Sequence, residues 1–227
     1  MPDIYGSTGD GYASSGTNSN WNLLRGGAGA SADNNNVRDA AGVVVERTAG
    51  KGGGYGYTVR RAFMFFDTSG ISVQPSEATL KIRGFSLTSA DLIVVKSEAA
   101  DPIVAGGFND LVGASSALAA TDGSGAGTLA GVSGLTYSSE LSTWVTSGYN
   151  DFALNSTALA DMASLDDFKI CVMQYDNDYL DIIPASDGAL GAGNWWTEGP
   201  TSLDPYIEYT AGVAAVTNNS VFFGTNF

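Results

Sequence analysis

Histidine is absent from the chain. With it go the usual general base at neutral pH, Ser-His and Cys-His nucleophile pairs, and the commonest transition-metal ligand. Catalysis would have to rest on carboxylates, as in glycoside hydrolysis. No spacing among the 24 acidic residues singles out such a pair, and no enzyme is expected. Cys171 is the only cysteine, so no internal disulfide can form. Its place in Phe168-Lys169-Ile170-Cys171-Val172-Met173 suits a small buried hydrophobe. Lys and Arg number only ten, leaving a net charge of −14, which repels phosphate and excludes nucleic acid as a partner. Such a charge keeps a protein soluble by self-repulsion. No stretch reaches the roughly 20 apolar residues that span a bilayer, so no membrane partner is expected. The start, M-P-D-I-Y-G-S-T-G-D-G-Y, lacks the basic and apolar regions of a secretory signal.

The residues present favour strands. Thirty glycines against six prolines, with Ser, Thr and Asn between short apolar runs, describe many strands joined by tight turns. Charged residues make up only 15% and hydrophobic ones 44%, enough for a substantial core. The organising stretch is Arg60 to Ile71, R-R-A-F-M-F-F-D-T-S-G-I. Strand side chains alternate, so Phe63 and Phe65 face one way and Ala62, Met64 and Phe66 the other. With both faces apolar, this strand is expected at the centre of a sheet covered above and below.

Around it, Val43 to Arg47 and Tyr55 to Val59 read as a hairpin across Lys51-Gly52-Gly53-Gly54. Thr79 to Leu87 is a strand whose apolar phase slips at Gly84, as at a β-bulge. Further strands are expected at Asp91–Lys96, Asp151–Asn155, Phe168–Tyr175 and Pro205–Tyr209, with Tyr179–Ile183 returning as a hairpin partner across Asp176-Asn177-Asp178. Residues 1 to 36 read as two short strands and loops, with Trp21 and Leu23 or Leu24 as anchors. Two short helices are expected, over Ser138–Val145 and over Ser156–Leu165. Ala99 to Thr136, rich in Ala, Gly and Ser, reads as an extended excursion with few anchors.

R-x-F-x-x-F-D-x-S-G-I followed by E-A-T-L-K-I resembles DNRLRE-type domains, jelly-roll β-sandwiches related to carbohydrate-binding modules. The later order is similar too: a tryptophan-bearing segment ending in glycine (Trp144 to Gly148), Phe152-Ala153-Leu154, and a closing P-x-I-x-Y strand (Pro205 to Tyr209). The likeness spans about Asp10 to Thr210. It implies an all-β jelly-roll sandwich over residues 1–210, and a role in adhesion or structural support on a surface or in a virion.

Four sets of residues are candidate sites. Asp176, Asn177, Asp178 and Asp181 resemble an oxygen-rich cation loop, although the same residues build ordinary turns and no full ligand spacing is present, so no metal or other cofactor is expected. Tyr179, Trp195 and Trp196, with Tyr206 near, could form an aromatic platform for a glycan. Asn155-Ser156-Thr157 and Asn218-Asn219-Ser220 fit the glycosylation pattern by coincidence. Finally, residues 211–227 carry no charge yet include Val216, Val221, Phe222, Phe223 and Phe227. Burying phenylalanine stabilises by about 1.5–3 kcal/mol per side chain. Three of them do not offset the ordering of about a dozen backbone residues. This arm is therefore expected to pair its backbone with a sheet edge as well, on itself or on a neighbour. The expected role is a structural bacteriophage protein, a capsid decoration or fibre-associated component that forms homo-oligomers and contacts other virion proteins. It would be assembled in the host cytoplasm and released in the virion. The alternative is a carbohydrate-binding surface module.

Overall fold

A computed structural model describes residues 1–34, 39–88, 91–118, 127–194 and 203–214 of the chain, with the side chains of 39–41 left aside. Its strands are β1 (Asp3–Tyr5), β2 (Gly11–Asn18), β3 (Ser31–Asp33), β4 (Asp39–Ala49), β5 (Tyr55–Asp67), β6 (Glu77–Leu87), β7 (Leu92–Lys96), β8 (Tyr149–Ala153), β9 (Asp167–Gln174), β10 (Gly188–Asn194) and β11 (Tyr206–Thr210). The helices are α1 (Trp21–Gly26), α2 (Ser115–Leu118) and α3 (Ser156–Ser164), with a 3₁₀ turn at Ala105–Asn109 and a π turn at Tyr175–Tyr179. The chain is an all-β sandwich, and every strand pairing is antiparallel.

β5 is the axis. One of its edges pairs with β2, from Gly11↔Phe63 to Asn18↔Tyr57. The other is shared, β4 taking Val44↔Arg60 through Ala49↔Tyr55 and β9 taking Ala62↔Val172 through Asp67↔Asp167. β7 extends this main sheet beyond β9, and β10 extends it beyond β4. The smaller sheet has the order β1-β11-β6-β8. β6 links the two, because its far end turns from β8 and β11 to β10.

The two-faced reading of β5 holds. Ala62, Met64 and Phe66 enter a core between the sheets with Leu80, Ile82, Phe152, Phe168, Ile170 and Ile207. Val59, Phe63 and Phe65 enter a second core with Trp21, Leu24, Val95, Phe108, Cys171 and Met173. Among the described residues no third sheet covers that second face. It is covered by α1, the 3₁₀ turn, α2 and the chain around them.

Local chemistry explains several elements. The β4–β5 turn places Gly52 and Gly53 at φ +97° and +87°, where a Cβ would clash with its own backbone. The bulge falls where β6 changes partner, its register shifting between Ser86 and Gly84. A Cβ on Gly84 would lie 2.3 Å from the Val145 carbonyl oxygen, so only glycine allows that crossing. The α3 N-cap is Asn155, whose side chain accepts from the Ala158 N–H. In α1, Trp21, Leu24 and Arg25 share the buried face while Leu23 is exposed.

Three expectations are corrected. Residues 138–145 are extended, not helical: Ser138 Oγ accepts the Val94 N–H, and Leu141 bridges Leu92. The exposed edge of β7 captures this segment, and that non-local pairing overrides the local capping pattern. Tyr179–Ile183 does not form a hairpin partner for β9, whose edges are already taken by β5 and β7; Tyr179 ends the π turn instead. The excursion from Ala99 to Thr136 is well anchored in its described part, with Ile103, Phe108, Leu111, Leu118, Leu129 and Leu135 all buried.

If the two faces of β5 serve separate cores, Phe63→Leu and Phe66→Leu each destabilise by about 1–3 kcal/mol. The double variant should match their sum within about 0.5 kcal/mol in urea unfolding, whereas strong non-additivity would mean one shared core.

Candidate functional site

Arg61 lies in phase with Val59, Phe63 and Phe65, so β5 carries its side chain into the second core, where it is fully buried. A buried guanidinium must be paired. Nε and Nη2 donate to Asp178 Oδ2 and Oδ1 at 2.6 and 2.7 Å, forming a two-pronged pair. Nη1 donates to the Phe108 carbonyl at 2.8 Å and to Asn109 Oδ1 at 2.6 Å. Arg25, also fully buried, reaches the same carboxylate from α1: its Nε lies 3.3 Å from Asp178 Oδ1 and its Nη1 donates to Asp181 Oδ1 at 2.6 Å. Its Nη2 donates to the Asp178 carbonyl. Trp21 Nε1 donates to Asp181 at 2.9 Å, and Asn109 Nδ2 to the Gly27 carbonyl at 2.6 Å.

Two cations and two anions thus join β5, α1, the 3₁₀ turn and the π turn. Burial pushes the Asp178 carboxyl up, but the charges and hydrogen bonds of Arg61 and Arg25 outweigh it and hold its pKa below the usual value. Burial likewise lowers Arg61, and Asp178 more than restores it. The candidate cation loop is therefore neutralised from within: two of its carboxylates hold guanidinium groups. Asp181 takes φ +65°, a left-handed conformation that aspartate tolerates. Among the described residues no group of three or more His, Cys, Asp or Glu side chains converges to hold a metal ion.

Tyr179 is buried, its ring stacked on Tyr175 at 5.5 Å and its hydroxyl bonded to Thr136 Oγ1 at 3.0 Å. It offers no free face to a ligand. Trp195, Trp196, Val216, Val221, Phe222, Phe223 and Phe227 lie outside the described residues. Burial pushes the Cys171 thiol up, which suits a core side chain.

A different aromatic group lies on the outer face of the small sheet. Register aligns Tyr5, Tyr206, Lys81 and Asp151 in one row across β1, β11, β6 and β8, with Arg83 opposite Tyr149 in the next. Tyr206 stands 5.6 Å from Tyr5 and 5.1 Å from Tyr149, centre to centre. Arg83 lies 5.8 Å from the Tyr149 ring, and Lys81 pairs with Asp151 at 2.8 Å. All three tyrosines are half-buried. Sequence reading missed this cluster because its members lie on β1, β8 and β11, far apart in the chain. The signal present was alternation alone: Thr79, Lys81 and Arg83 point away from Leu80 and Ile82.

Three surface hollows among the described residues are small, about 190, 70 and 90 Å³. The chain matches no family model and no curated protein sequence.

Removing one partner of a buried ion pair leaves the other charge stranded, so Arg61→Met is expected to destabilise by about 3–5 kcal/mol. Arg61→Met combined with Asp178→Leu should fall short of the sum of the single changes in a double-mutant cycle; simple additivity would contradict the coupling.

Proposed function

We propose that this chain is a non-catalytic structural protein of a virus particle, on its resemblance a bacteriophage decoration or fibre-associated component. The observation that carries this reading is the uncharged apolar run from Ala211 to Phe227, which follows the last strand. Only residues 211–214 of it are described. Gly212 lies so close to Gln74 that a Cβ would stand 1.9 Å from that carbonyl oxygen, and Val213 is then 92% exposed. A body with two cores and internally neutralised charges is suited to bearing load, and its remaining acidic residues keep the assembled surface soluble. The partners would be other virion proteins and further copies of the chain.

Deleting residues 216–227 should leave a folded body of unchanged melting temperature that no longer oligomerises or attaches to purified particles, as read by sedimentation and co-pelleting. Unaltered assembly would contradict the docking role. Mass spectrometry of purified virions tests the location directly.

The tyrosine cluster favours a second reading, a glycan-binding surface module. Tyrosine rings offer apolar faces to the C–H side of a sugar, and Asp151, Glu208 and Lys81 stand beside them for its hydroxyls. Under this reading, Tyr206→Ala weakens binding to a responsive polysaccharide about tenfold in affinity electrophoresis without altering the fold. Unchanged binding, or no response to any of a broad glycan panel, would exclude the face as a sugar site.

A further inference from the structure

We infer that Asp10, with Asp101 and Asp204 around it, forms a proton-dependent clasp that holds the crossover between the two sheets. The chain leaves β1 in the small sheet and reaches β2 in the main sheet through residues 6–10. This crossover pairs with the end of β5 in place of a strand. Gly6 bridges Phe66, the Ser7 N–H donates to the Phe65 carbonyl at 2.8 Å, and Asp10 Oδ1 accepts the Phe65 N–H at 2.8 Å. The carboxyl of Asp10 thus replaces a backbone carbonyl in the ladder.

Its other oxygen has no such role. Asp10 is 1% exposed, and Oδ2 has no hydrogen-bond partner among the described residues. It lies under Gly6, where a Cβ would come within 2.0 Å of it, so glycine is what lets the carboxyl occupy this place. Asp101 and Asp204 act on it with like charge. Asp101 is held against the crossover by Ser7 Oγ, which donates to its Oδ2 at 2.8 Å, and Asp204 is itself buried. The adjoining hollow is lined by Asp67 and Asp167 at the ends of β5 and β9, with Lys169 as its cation, the Lys169 ammonium donating to the Ala99 carbonyl at 3.1 Å.

An ionised Asp10 would be a buried charge facing two others, so the closed clasp holds the proton. Burial first, then those neighbouring charges, raise its pKa well above the ordinary 3.8, against the opposing backbone hydrogen bonds of Phe65 and Ser7. The sign follows: the stabilisation is complete below the unfolded value and is lost as pH rises through the folded one. Above the folded pKa the crossover loosens, and with it the β1 edge that carries Tyr5.

Amide hydrogen exchange between pH 4 and 9, corrected for intrinsic chemistry, tests this. In the unaltered chain, protection of the Ser7 and Phe65 amides should fall at least tenfold as pH rises. In Asp10→Asn it should stay level, and in Asp101→Asn the fall should move to lower pH, because one repelling charge is gone. Level protection in the unaltered chain, an equal fall in Asp10→Asn, or no movement in Asp101→Asn would overturn the clasp. Should either variant fail to fold, the carbon-13 shift of the Asp10 carboxyl in the unaltered chain decides: titration near 4 overturns the proposal, and titration well above it supports it.

Discussion

The Arg61–Asp178 pair, with Arg25 at its side, is the constraint on which the outer half of the molecule depends. A sandwich of two sheets needs one core. This chain adds a second on the far face of its main sheet and covers it with short helices and irregular chain instead of strands. Apolar contact orders such a layer weakly in position, because dispersion and the hydrophobic effect have little direction. A buried guanidinium that must meet one carboxylate in two-pronged geometry is directional. It fixes where the π turn after β9 lies against β5, and Arg25 then fixes α1 against both. The net contribution of such a pair to stability is modest, since desolvation opposes the attraction. Its stronger effect is to penalise every arrangement in which any member is misplaced.

The main sheet was legible because its rules are local. Alternation along Ala62 to Phe66 marked a strand buried on both faces, the glycines after Lys51 marked a hairpin, and Gly84 marked the slip at which β6 exchanges partners. The second layer was not legible. Its anchors, Ile103, Phe108, Leu111, Leu118, Leu129 and Leu135, follow no helical or strand period, and they acquire meaning only against a sheet built by distant residues. The Ser138 segment carried a sound helix-start pattern, yet the unpaired backbone of β7 offered it hydrogen bonds a short helix could not match. Asp178 and Asp181 read as a turn or a cation loop because their partners lie more than 100 residues away. One clue was available: Arg61 shares the phase of Phe63 and Phe65, so a charged group was bound to enter the core.

These features bear on function through what the molecule does with charge. Inside, the Arg61, Arg25, Asp178 and Asp181 charges cancel one another, while Asp10 is buried without a cation beside it among the described residues. Over the whole chain acidic residues outnumber basic ones, and on the small sheet Lys81 and Arg83 stand beside the tyrosines, Lys81 paired with Asp151 and Glu208. Both proposed readings rest on contact across a face or through residues 211–227, and neither on chemistry in a pocket. The structural and glycan-binding readings share that basis and differ in whether residues 216–227 or the tyrosine face makes the decisive contact.

Native-state hydrogen exchange tests the central claim most directly, because it reports whether the covering layer and the main sheet open together. The Leu118 and Leu129 amides bond to the Ala114 and Tyr179 carbonyls in that layer. If the buried ion pairs bind the layer to β5, these amides exchange only through global unfolding, at the same free energy as amides in β5 and β9. Exchange of the layer at a distinctly lower free energy, with β5 and β9 still protected, would contradict the account.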